Sequence, residues 1–154
     1  MLPCGKFCQP LFSATMATDA TNAGYVDTLG YDFAEIVVHG PTHAANDLPA
    51  TLKLSHGTGT IASNGTDIEA FTGGTSVVAG STGFVIPAST TVVTSGYAVK
   101  FLVDCRTRER YLGIMYTPGT ATSHEVAFTC NLYRGEVAPD SAADAGVDGL
   151  ICEA

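Results

Sequence analysis

Four histidines and five cysteines are the side chains of this chain best suited to metal binding or nucleophilic chemistry. His39 and His43 flank Gly40-Pro41-Thr42, a turn rather than one helical face. A metal site would gather these two with a carboxylate such as Asp47. Their spacing matches no structural metal site, and solvated loop histidines explain them equally well. His56 and His124 fall at strand ends. Cys105 follows Asp104 and precedes Arg106 and Arg108, cations that would lower its pKa and activate it. No nucleophile signature surrounds it, so a cysteine at the end of a hairpin is the competing reading. There is no Cys-x-x-Cys pair, which removes thioredoxin-like and zinc-ribbon chemistry. Cys130 sits in a strand pattern and reads as a small core residue. Cys4, Cys8 and Cys152 lie near the two ends. Free thiols in a reducing compartment and disulfides between ends or subunits both remain open.

Serine and phosphate chemistry find no support either. The chain has no Gly-x-Ser-x-Gly elbow. Gly57-Thr58-Gly59 and Gly73-Gly74-Thr75 are not followed by the Gly-Lys helix start of a phosphate cradle. Asn64-Gly65-Thr66 is a glycosylation acceptor only in a secreted eukaryotic context. Asp67 and Glu69 share a strand face, as solvated residues often do. The reading is therefore a protein that is not an enzyme, with no catalytic residue, no metal and no cofactor.

One charged cluster stands out. Arg106, Arg108 and Arg110 are three of only seven basic residues, set against fifteen acidic ones. They either pair with Asp104, Glu109 or the acidic C-terminal segment, or dock on an acidic partner surface. The net charge of −8 and pI near 4.7 give no phosphate footprint, so nucleic acid is not expected as a partner. No apolar run approaches the ~18 residues of a transmembrane helix, so no membrane partner is expected. The first dozen residues are broken by Pro3, Gly5, Lys6, Gln9 and Pro10, unlike a signal peptide. A poor signal cut near Ala14-Thr-Met-Ala17 is the alternative.

These residues must be positioned by one domain of 154 residues, of which 45 % are hydrophobic and only 14 % charged. Ordinary soluble domains carry about 25 % charged residues. Threonine and serine fill the gap, which suits a surface packed against partners. Three zones divide the chain: an arm over 1–24 rich in Pro, Ala, Thr and Gly; a β domain over 25–133; and an acidic tail over 134–154. Within the middle zone, 31–39, 50–56, 68–71, 76–78, 83–87, 97–104, 110–116 and 125–133 read as strands. Leu52 and Leu54 point to one side, as do Val99, Phe101 and Val103. Leu112, Ile114 and Tyr116 form a third apolar face, and Val126, Phe128, Cys130 and Leu132 a fourth. Pro87 marks a strand end or an edge. No window carries a helical stripe. The expected fold is all-β: a single antiparallel β-sandwich, jelly-roll-like, with an extended N-terminal arm and a C-terminal tail.

An ordered set of segments carries a resemblance. It runs through Tyr31-Asp-Phe-Ala-Glu-Ile36, Ala50-Thr-Leu-Lys-Leu-Ser55, Phe71-Thr-Gly-Gly74 and Gly83-Phe-Val-Ile-Pro-Ala88. It continues through Val99 to Leu112, Thr117-Pro-Gly-Thr120 and Leu132-Tyr-Arg-Gly-Glu136. Over residues 25–137 the chain resembles the capsid decoration (cement) proteins of tailed bacteriophages. The most telling piece is the strand–Asp104-x-Arg106-x-Arg108-x-Arg110-Tyr111-Leu112–strand–Thr-Pro-Gly-Thr run. The resemblance implies a jelly-roll subunit, made in the host cytoplasm and placed on the virion exterior. It implies a homo-oligomer, a trimer, that clamps neighbouring copies of the major capsid protein. Contacts with partners are then expected from the ends, at Cys4, Phe7, Cys8, Phe12, Val137, Leu150 and Cys152, and from Arg106, Arg108 and Arg110. The alternative is a phage fibre or carbohydrate-binding jelly roll. The absence of Trp counts against sugar stacking, for which Tyr25, Tyr31, Tyr97 and Tyr133 would have to substitute.

Overall fold

Alternation of apolar and polar residues gives most of the described strands one buried face, and two such faces closed on each other make the sandwich. The computed structural model describes residues 5–16, 22–40, 50–59, 65–74, 83–86, 96–118 and 124–133. The strands are β1 (Gly5–Met16), β2 (Asn22–Asp27), β3 (Phe33–Gly40), β4 (Thr51–Gly57), β5 (Thr66–Gly74), β6 (Phe84–Val85), β7 (Tyr97–Asp104), β8 (Tyr111–Thr117) and β9 (His124–Tyr133). One sheet has the order β1-β9-β3-β7 and the other β2-β8-β4-β5-β6.

The pairing is nested. β1 pairs with β9, β2 with β8, β3 with β7 and β4 with β5, all antiparallel. This is one long hairpin wrapped over itself, the plan of a jelly roll. Pairings of β3 with β9 and of β4 with β8 then weld the wrapped pairs into sheets. The short β6 departs from the plan by pairing parallel to β5 at the sheet edge. Pro87 and the strand expected over 76–78 lie outside the described residues.

All four expected apolar faces are buried. Ile36 and Val38 of β3 and Leu52 and Leu54 of β4 are fully enclosed, as are Phe128, Cys130 and Leu132 of β9. Aromatic rings tie the two layers. Tyr116 lies edge-on to Phe128 with centroids 6.5 Å apart, and Phe101 meets both Phe71 and Phe84 at 5.6 Å. The Tyr97 and Tyr116 hydroxyls are 3.2 Å apart, so two phenols share a hydrogen bond at the core's margin.

Two expectations change. The segment read as an arm contributes β1 along the edge of one sheet and the start of β2 in the other. Its register slips between Cys8↔Cys130 and Phe12↔Phe128, where three residues of β1 face one of β9. Pro10 sits in that slip, and an edge strand with a bulge is where a residue without an N–H is tolerated. The slip destroys the two-residue period by which a strand is recognised. The second change is β5, which runs from Thr66 rather than Ile68. Its pairing with β4 jumps from Lys53↔Thr72 to Ser55↔Asp67, and the Thr72 hydroxyl donates to the Ile68 carbonyl at 3.1 Å across the extra residues.

Gly73 shows how closely the β4–β5–β6 corner packs. A Cβ there would meet Phe84 Cζ at 2.5 Å, Ile86 Cγ1 at 2.9 Å and the Leu52 carbonyl oxygen at 2.9 Å. The two side chains can turn aside, but the Leu52 carbonyl cannot. Gly73→Ala is expected to cost about 1–3 kcal/mol, as overpacked sites do. A lowered urea midpoint at unchanged slope checks this; an unchanged midpoint would show that the corner yields freely.

Candidate functional site

The turn after β2 and the loop between β7 and β8 meet at one end of the sandwich. The turn is made by Thr28-Leu29-Gly30-Tyr31, with the Tyr31 N–H donating to the Thr28 carbonyl at 3.0 Å. Gly30 supplies the positive φ of 82° at its third position. The two segments are stitched by main chain. Thr28 donates through its N–H (2.9 Å) and its buried hydroxyl (2.6 Å) to the Arg110 carbonyl, and the Cys105 N–H donates to the Asp32 carbonyl at 2.8 Å. Leu29 is left 65 % exposed at the tip.

The three arginines meet different fates on this scaffold. Arg106 grips Asp104 with two nitrogens, Nε at 2.9 Å and Nη2 at 2.7 Å, and stacks 4.9 Å above the Phe33 ring. Its hydrogen bonds hold the Asp104 carboxyl down at about 2. Arg110 grips Asp27 at 2.9 and 2.6 Å and lies 5.0 Å over Tyr111. Glu109 turns to His56, whose Nδ1 is 3.2 Å from the carboxylate. Arg108 is exposed, and its backbone N–H is spent on the Cys105 carbonyl. No ion pair joins its side chain to a carboxylate among the described residues. Pairing thus accounts for Arg106 and Arg110, and Arg108 is the cation left outward.

Cys105 is buried rather than displayed, 7 % exposed, with Sγ 3.8 Å from the Val103 carbonyl. Burial, reinforced by the adjacent Asp104 carboxylate, pushes its thiol up to about 11. The two flanking arginines do not activate it, because Arg106 is neutralised by Asp104 and desolvation dominates. The histidines are scattered. His39 is exposed at the end of β3, His56 pairs with Glu109, and His124 opens β9. Among the described residues no three His, Cys, Asp or Glu side chains gather as a metal-binding group. His43 and Asp47 lie outside those residues, as do Cys4, Val137, Leu150 and Cys152. Phe7, Cys8 and Phe12 fall within β1, opposite or beside β9.

A second feature lies on the outer face of the four-stranded sheet. A shallow apolar groove of about 410 Å³ is bounded by Phe33, Leu102, Val103 and Tyr133, with Glu35 and Asp104 at its rim. Leu102 is 68 % exposed there. A leucine among the outward residues Ala98, Lys100 and Asp104 is a visible signal of this patch in the alternating strand. Asp27 carries none, being 83 residues away from Arg110. Among the tyrosines, Tyr25 is 45 % exposed and edge-on to Tyr111 at 6.0 Å, while Tyr97 is tied to Tyr116.

The fold and these surfaces define a jelly-roll β-sandwich with an ion-paired loop end and an apolar patch on one sheet. Among the described residues no helix is long and apolar enough to cross a membrane. No protein-family model and no curated protein matches the chain.

Proposed function

We propose that this chain is a virion structural protein, a decoration subunit on the exterior of a phage head that stabilises contacts between copies of the major capsid protein. The observation that carries this reading is the Asp104–Leu112 run, which joins the resemblance to a specific geometry. It forms a pinned loop at one end of a jelly roll, with Arg106 and Arg110 used internally and Arg108 presented outward. A rigid loop end with one outward cation suits docking on an acidic protein surface, because the ordering cost is already met within the subunit. The acidic balance of the chain keeps it off packaged nucleic acid.

The test mixes the purified full chain with capsids lacking it. Saturable binding and a rise in capsid heat resistance are expected. Arg108→Glu should weaken binding about tenfold, the usual scale for losing and then opposing one interfacial charge. No saturable binding together with no gain in heat resistance would reject the proposal. The carbohydrate-binding reading retains one favourable observation, the exposed Tyr25 beside Tyr111. Glycan-array binding abolished by Tyr25→Ala, without capsid binding, would select it.

A further inference from the structure

We infer that the free edge of β7 is a seam between two copies of this chain. The two β7 strands would pair antiparallel about a two-fold axis through Leu102, making one eight-stranded sheet. This does not depend on the capsid reading.

Among the described residues β7 is the last strand of its sheet, bonded on one side to β3. The Cys105 N–H donates back toward β3, at Asp32. The Asp104 carbonyl shares that peptide and points the other way, to the open side. Alternation along the strand then directs the main-chain groups of Leu102 and Lys100 to the open side as well. Three successive outward residues therefore present, at one edge, side chains together with main chain that no described residue pairs.

The side chains fit a copy of themselves. Lys100 and Asp104 flank Leu102 at two residues on either side, on the same outer face. A lone lysine on an edge strand normally discourages pairing. With the axis through Leu102, each Lys100 instead faces Asp104 of the second copy, and the two exposed leucines meet. Lys100 already contacts Glu35 at 3.1 Å and Asp104 contacts Arg106 at 2.7 Å. Across the seam the charges would run Glu35, Lys100, Asp104, Arg106, alternating in sign. An axis through Phe101 or Val103 breaks this match. An isologous interface requires such self-complementarity.

The experiment measures the mass of the full chain by sedimentation equilibrium from about 1 to about 100 μM, a range that brackets the affinities of modest interfaces. A dimer is expected. Leu102→Asp should make it monomeric, and Leu102 is exposed enough for the variant to fold, which circular dichroism verifies. Lys100→Asp or Asp104→Lys alone should raise the dissociation constant at least about tenfold. The two together should restore it to within about threefold, an outcome that a general loss of folding cannot produce. A monomer throughout, a trimer, or a dimer indifferent to Leu102→Asp and to both charge reversals would overturn the seam.

Discussion

Phe128→Ala should lower the stability of this protein by about 3–5 kcal/mol, the range for truncating a buried aromatic. Phe128 is fully enclosed at the middle of β9, a strand bonded on both sides, to β1 and to β3. Its ring meets Tyr116 across the interlayer space, and its backbone is in register with both Phe12 and Val38. The cavity would therefore open where both sheets and both neighbouring strands converge, with little freedom to collapse. Domains of this size lose about 2–4 °C of melting temperature per kcal/mol, so a fall of roughly 10–15 °C is expected. Phe128→Leu, which keeps most of the volume, should cost less than half as much. Equal losses for the two variants would show that the site is not tightly packed. Calorimetry and urea midpoints at a common pH check both.

The second large effect is alkaline. Cys105 has its thiol raised from 9.0 to about 11, with burial the main cause and the Asp104 carboxylate next. A raised folded-state pKa in an acid means that the neutral thiol is the form the fold prefers. Its contribution is complete below about pH 9 and is lost as pH climbs through about 11. Two pKa units correspond to about 3 kcal/mol. Tyr97, raised by burial despite its hydrogen bond with Tyr116, adds to the loss above about pH 10. The unfolding free energy should therefore fall steeply between about pH 9 and about pH 11, and Cys105→Ala should flatten that fall. At about pH 8 the Cys105 peptide should react with iodoacetamide about a hundredfold more slowly in the native protein than after unfolding, on the thiolate fraction alone. A Cys105 as reactive as an unfolded thiol would mean that the loop end opens freely.

Much of the fold is legible in local patterning. Alternation alone delimits β7 as Tyr97–Asp104 and assigns the inward faces of β4, β8 and β9 residue by residue. Period-two patterning reports burial directly, because a strand residue has only two sides to choose between. β1 escapes it because Pro10 and the extra residues of its bulge shift the phase halfway along. The extra residues of β5 hide its full length for the same reason.

The arginine run shows the division most clearly. Its exposure and its place between two strands follow from local sequence, as does the Arg106–Asp104 contact two residues away. That Arg110 is claimed by Asp27, Glu109 by His56, and Arg108 by no carboxylate among the described residues depends on which turns the wrapped hairpin brings together. The same holds for Cys105: neighbouring cations suggest an activated thiol, and burial against Val103 reverses the sign. The strands, their inner faces and the charge of each loop are therefore written in the chain itself, since they depend on neighbours one or two residues away. Which charges are neutralised, which thiol is desolvated and which strand is left as an edge follow only from folding, because partners 53 and 83 residues distant are chosen by the nesting of the sheets.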